Sequence, residues 1–206
     1  MSLLPKKTKN IGTYCQAYRD ALSNAWATLD LEELAAAEDT LRTAYVNRSI
    51  VMVCGNGGSA AISNHLLCDH CKGVATDTEL SPSVISLSSN IELITAIAND
   101  VSFEEVFVYQ AQRYLRPGAV LLTISSSGNS PNIIAVTRWA KSNGVKVIAM
   151  TGFSGGVSRE IADIKLHINA NNYGVIEDIH QSLMHILAQF IRQLHMHEDQ
   201  IAAAVF

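Results

Sequence analysis

Charge is scarce in this chain: Asp, Glu, Lys and Arg make up 17% of its 206 residues, and 15 basic side chains face 19 acidic ones. The formal net charge of −4 excludes an overall field that would draw in nucleic acid, and no run of Lys or Arg supplies a local one. Long apolar runs are also missing. No stretch approaches about 18 apolar residues, so a membrane-spanning helix is not expected, and the opening MSLLPKKTKN lacks the apolar centre of a signal peptide. A cytoplasmic protein with neither membrane nor nucleic acid as partner is the expectation. The four cysteines, Cys15, Cys54, Cys68 and Cys71, are too few for a disulfide framework. Cys68 and Cys71 form a CxxC, but a zinc ribbon needs a second pair, so buried thiols on a helix are expected instead. Neither a GK[ST] ending nor a completed GxGxxG is present, which removes the P-loop and the dinucleotide fingerprint.

What the chain does have is apolar periodicity. Hydrophobic residues make up 48% of the sequence, enough for one sizeable core and one domain over 1–206. Three- and four-residue spacing predicts helices over 11–28 and 31–47. The period then shortens, and β-branched runs at 49–55, 83–89, 119–126, 146–152 and 164–170 predict buried strands. Helical patterns lie between them at 57–73, 90–115, 131–143 and, briefly, 156–162, with a long last helix over about 174–197. Continuous apolar strands alternating with helices give an α/β fold: a doubly wound, five-stranded parallel sheet flanked by helices and preceded by an N-terminal helical pair. Ligands of such sheets bind at the carboxyl ends of the strands.

Two loops at those ends draw notice. CGNGGSA (54–60) follows the first strand and opens a helix; its glycines let the backbone approach a ligand, and Ser59 offers a hydroxyl. Glycines also serve ordinary βα turns, so this loop alone is weak. AVLLTISSSGNSPNII (119–134) is more pointed. Ser125, Ser126, Ser127 and Ser130 surround Gly128 and Asn129, and Pro131 suits the first turn of a helix. One serine would suffice as a helix cap. Several hydroxyls with free N–H groups at a helix N-terminus instead make a neutral phosphate site.

CGNGGSA, ISSSGNS, the TAIAND segment at 95–100 and a last helix with spaced histidines together resemble the sugar-isomerase (SIS) fold, and within it the phosphoheptose isomerases. The likeness runs over essentially the whole chain. It implies an aldose–ketose isomerase that interconverts sedoheptulose 7-phosphate and a heptose 7-phosphate for surface-polysaccharide precursors. It further implies phosphate binding by Ser125, Ser126, Ser127 and Ser130, and substrate contacts from Asn56, Gly57, Ser59, Asn99 and Asp100. A zinc ion would be held by His65, Asp69, Glu177 and His185, with Asp69 as the base and His185 as the acid. A homotetramer built through helices at about 8–47 is implied as well. Two positions depart from the family pattern: Asp69 replaces its Glu and Glu177 its Gln. The Arg and Asp that begin the family's last helix are missing from Tyr173–Glu177. Glu177 is therefore a second candidate for the base, and a different phosphosugar a second candidate substrate.

The spacing makes sense independently. His65 and Asp69 are four apart and share a helix face. Glu177, Gln181 and His185 drift by only about 80° over two turns. Two histidines and carboxylates suit zinc but would also take manganese, iron or nickel. The plainer alternatives are a hydrogen-bonded core histidine at His185 and a solvated face at Asp69. A non-catalytic rival, which the resemblance also allows, is a sugar-phosphate sensor or a scaffold for a partner such as a replication initiator.

Overall fold

A computed structural model describes residues 3–114 and 116–205. The chain begins with helices α1 (Ile11–Trp26) and α2 (Leu31–Val46). Asn10 caps the first by accepting from the Thr13 N–H, and Asp30 caps the second by accepting from Glu32 and Glu33. These side-chain oxygens satisfy N–H groups that have no partner inside the helix.

Five strands follow: β1 (Ile50–Gly55), β2 (Ser83–Ser86), β3 (Val120–Ser125), β4 (Lys146–Thr151) and β5 (Ile164–His167). All pair in parallel, in the order β2-β1-β3-β4-β5. Between them run α3 (Gly58–Cys68), α4 (Ile91–Asp100), α5 (Val106–Tyr114), α6 (Pro131–Ser142) and α7 (Gly156–Ile161), with α8 (Tyr173–Leu194) and the short α9 (Glu198–Ile201) at the end. The two-residue strand period divides the core. Val51, Val53, Leu122 and Met150 pack toward α1, α2, α3 and α8, whereas Met52, Cys54, Leu121 and Ala149 pack toward α4, α5 and α6. Among the described residues no helix is long and apolar enough to cross a membrane.

The expected α/β sheet with its leading helical pair is present; the differences are local. The helix predicted over 57–73 is α-helical to Cys68 and then widens into a π-helical turn, Asp69–Gly73, closed by the Val74 N–H donating to Asp69 O. The pattern at 90–115 is two helices, with Leu115 outside the described residues. Ser102 Oγ accepts from the Glu105 N–H at 3.3 Å, an alternative partner that competes with helical continuation. β2 and β5 are shorter than their apolar runs. The thiols also differ from expectation: Cys54 is buried, Cys71 is half-buried, and Cys68 is exposed.

Candidate active site

The register aligns the carboxyl ends of the central strands, with Gly55 opposite Ile124 and Ser125 opposite Thr151. The GNGGS and serine loops therefore emerge side by side where the strand order reverses, which is where doubly wound sheets bind ligands. Their link is a reciprocal amide pair. Asn56 Nδ2 donates to Asn132 Oδ1 at 2.9 Å, and Asn132 Nδ2 donates to Asn56 Oδ1 at 3.0 Å. Asn56 thus braces one loop against the other. Ser88, in the turn after β2, adds a tie, accepting from the Gly55 N–H at 3.1 Å and donating to Gly55 O at 2.8 Å.

The serine loop is fixed mainly by backbone contacts. The Gly128 N–H donates to Ser125 O and Oγ at 3.1 and 3.2 Å, and the Asn129 N–H donates to Ser127 Oγ at 3.2 Å. Segment 152–158 braces it from outside: the Gly152 N–H donates to Ser126 O at 2.8 Å and the Ser158 N–H to Gly128 O at 3.0 Å. Gly128 has φ +64°, and a Cβ there would fall 1.8 Å from Gly155 O, so only glycine fits. Ser130 occupies the N-cap position of α6, yet its hydroxyl makes no cap bond. Ser126 Oγ is buried without a hydrogen-bond partner. Hydroxyls left over by folding are what an oxygen-rich anion requires.

Gly57, at φ +53°, turns the chain into α3, and Ser59 is buried in the first turn. At Gly58, α8 comes close: a Cβ would stand 2.5 Å from Glu177 Oε2. Burial, assisted by the Asp178 charge, raises the Glu177 carboxyl pKa above its usual range. Next to it, the Tyr18 hydroxyl donates to Asp178 Oδ2 at 2.6 Å, and burial together with that bond pushes the phenol up to about 12.

Farther along the same two helices, His65, Asp69 and His185 converge, with one potential ligand atom from each within 4.8 Å of the others. His65 Nε2 lies 3.3 Å from Asp69 Oδ1, and His185 Nδ1 lies 2.8 Å from Asp69 Oδ2. The Gln181 amide sits between the rings, 2.8 Å from His65 Nδ1 and 3.1 Å from His185 Nε2. Two imidazoles, a carboxylate and an amide whose oxygen could be turned inward form a donor set that fits a divalent ion. Glu177 falls outside this group and faces the GNGGS loop. Asn99 and Asp100 are exposed at the end of α4, hydrogen-bonded to each other at 2.8 Å.

The SIS-domain model matches residues 13–152. The chain is 33% identical to a probable phosphoheptose isomerase of Thermoplasma acidophilum over 84% of its own length and 95% of that protein's. It is 34% identical to the phosphoheptose isomerase of Bordetella avium, over 86% and 92%. This chain belongs to the phosphoheptose isomerase family of SIS-domain proteins. The solved phosphoheptose isomerase of Francisella tularensis superposes with a TM-score of 0.81 at 29% identity, covering 89% of this chain and 96% of that one. The fold described above is thus shared over most of the chain with a solved member of the family.

Both loops and the His65–Asp69–His185 group are marked in the sequence, and the fold brings the three side chains together. Gln181 stands out there only as part of a helix face, although its place four residues before His185 is a usable signal. Asn132 was missed, because nothing local marks a pairing partner 76 residues away.

Proposed function

We propose that this protein isomerises a phosphorylated ketose to an aldose, with sedoheptulose 7-phosphate as substrate and a heptose 7-phosphate as product for surface polysaccharide. The observation that carries this reading is the pairing of a hydroxyl-rich loop at the sheet's switch point with a partly buried carboxylate, Glu177, against the neighbouring loop. Phosphoheptose isomerase relatives covering nearly their whole length favour the same substrate.

In this reading Ser125, Ser126, Ser127 and Ser130 grip the phosphate, and the backbone of Gly57 and Ser59 lies along the sugar, as do Asn99 and Asp100. The grip fixes the reacting carbons and so lowers the entropic part of the barrier. Isomerisation moves a proton from C1 to C2 or back through an enediol. It needs a base at carbon and a proton donor at the carbonyl oxygen. Glu177 takes the carbon proton; its environment favours the protonated form, which suits a group that must return the proton. His185 serves the oxygen. His65, Asp69 and His185, with Gln181 beside them, would hold a divalent metal, and zinc is one that two imidazoles and a carboxylate suit. A bound metal would polarise the carbonyl and stabilise negative charge on its oxygen. Asp69 has both carboxylate oxygens engaged by the histidines and is assigned to holding the metal.

We further propose one domain over the whole chain, a cytoplasmic location and a homotetramer. The exposed apolar side chains Ile11, Tyr14, Leu31, Phe190 and Leu194 on α1, α2 and α8 support an interface between copies. A monomer on a sizing column would remove that element.

The deciding experiment is conversion of sedoheptulose 7-phosphate by the purified protein as prepared, after chelation, and after zinc is restored. Turnover lost on chelation and recovered with zinc supports the metal-dependent isomerase. Absence of turnover in every form, with the protein still thermally stabilised by the sugar phosphate, would replace it with a sensor or scaffold. Glu177→Gln should abolish turnover while leaving metal binding intact; retained activity would return the base to Asp69.

A further inference from the structure

A buried chain of polar groups lies directly beneath the His–Asp group, and none of its members has a part in the chemistry above. Tyr45 comes from α2, His70 from the π turn and Met184 from α8. Tyr45 and His70 are buried inside an otherwise apolar layer. Tyr45 Oη stands 2.6 Å from His70 Nδ1, and His70 Nε2 stands 3.3 Å from Met184 O. A carbonyl only accepts, so Nε2 carries a proton and donates to Met184; Nδ1 of the neutral ring then accepts from the Tyr45 hydroxyl.

The sequence positions give this chain its meaning. His70 directly follows Asp69, and Met184 directly precedes His185. Asp69 Oδ2 and His185 Nδ1 meet at 2.8 Å one residue away from the buried bond on each element. Asp69 is also the first residue of a π turn only five residues long: its N–H still donates to His65 O, but its carbonyl accepts from Val74, five residues on. The bond from His70 to Met184 ties this turn to α8, and Tyr45 orients the ring that makes it. Groups that hold ligands in place from behind commonly govern metal affinity.

We propose that His70, oriented by Tyr45, is a positioning residue that sets Asp69 against His185. This rests on the metal-holding reading of those two side chains.

The test is titration of the metal-free full-length protein with cobalt(II), followed by its visible absorption, which reports affinity and ligand geometry without turnover. Wild type is expected to bind. His70→Leu is expected to bind about tenfold or more weakly, with an altered spectrum. His70→Gln, whose amide N–H reaches toward Met184 O, is expected to recover most of the affinity. Should the leucine variant not melt cooperatively, Tyr45→Phe takes its place, with a smaller but measurable loss expected. Affinity and spectrum unchanged in the leucine or phenylalanine variant would overturn the proposal, as would an equal loss in the leucine and glutamine variants. A wild-type protein that binds no cobalt would instead remove the metal reading, and the proposal with it.

Discussion

Asn56 and Asn132 hold each other by two amide hydrogen bonds, 2.9 and 3.0 Å long, across the gap between the GNGGS loop and the first turn of α6. The pair joins the loop assigned to the sugar to the helix that opens behind the phosphate loop. Neither asparagine has to touch substrate for its loss to matter.

Asn132→Ala leaves the Asn56 amide without its partner in a half-buried site. A cost of about 1–3 kcal/mol is expected. For a chain of this size that lowers the melting temperature by about 2–4 °C per kcal/mol. Thermal unfolding with and without sugar phosphate checks it. Stabilisation by the ligand should shrink as well, because the loops lose their common anchor.

Gly58→Ala places a methyl group where Glu177 Oε2 now lies, 2.5 Å from the new Cβ. Turnover should fall by about tenfold or more as the carboxylate is displaced. The melting temperature should recover in Gly58→Ala/Glu177→Ala, which restores the space, while activity should not. Recovery of both would contradict the assignment of proton transfer to Glu177.

His180 is fully buried on α8, and its ring nitrogens make no well-formed hydrogen bond, with only the Thr151 backbone near enough to exert a weak pull. Burial drives its pKa down to about 4, against a weaker opposing pull from the Thr151 backbone. A group with a depressed folded pKa favours folding above its unfolded pKa of about 6.5, and that contribution is lost as pH falls toward 4. His180→Leu should therefore flatten the decline in stability between pH 6.5 and 4. His70, lowered to about 4 by the same cause, accounts for part of what remains. Denaturant midpoints at a series of pH values read the slope directly; identical slopes in the two proteins would contradict this account.

Gln181→Leu should weaken divalent-metal binding, while Gln181→Glu should keep or strengthen it, since a carboxylate supplies an oxygen where the amide Nε2 now lies beside both histidines. Glu177→Gln should leave binding unchanged. Isothermal titration with zinc distinguishes these outcomes, and a loss confined to the Glu177 variant would restore Glu177 to the ligand set.

Much of this was legible from residue order because the signals were local. β-branched runs such as SIVMVCG mark a strand whatever surrounds it, and four-residue spacing puts His65 and Asp69 together on any helix. The choice between Gln181 and Glu177 was not legible. Both share a face with His185, but Gln181 lies about 6 Å of helix rise away and Glu177 about 12 Å. Which one meets the histidines depends on how α8 lies against α3, a matter of packing between segments far apart in the chain. The π turn was hidden for the opposite reason: DHCKG carries no residue that forbids an ordinary helix.

A π turn is an α-helix with one residue too many. Removing Cys71 or Lys72 would offer the backbone its regular ladder again and leave the four-residue interval from His65 to Asp69 untouched. Val74 would then stand four residues after Asp69 and could keep its bond to that carbonyl, so the segment leading to β2 would hold its place. The extra residue is thus an insertion that the turn absorbs locally, and a deletion there should be easier to tolerate than one within α3.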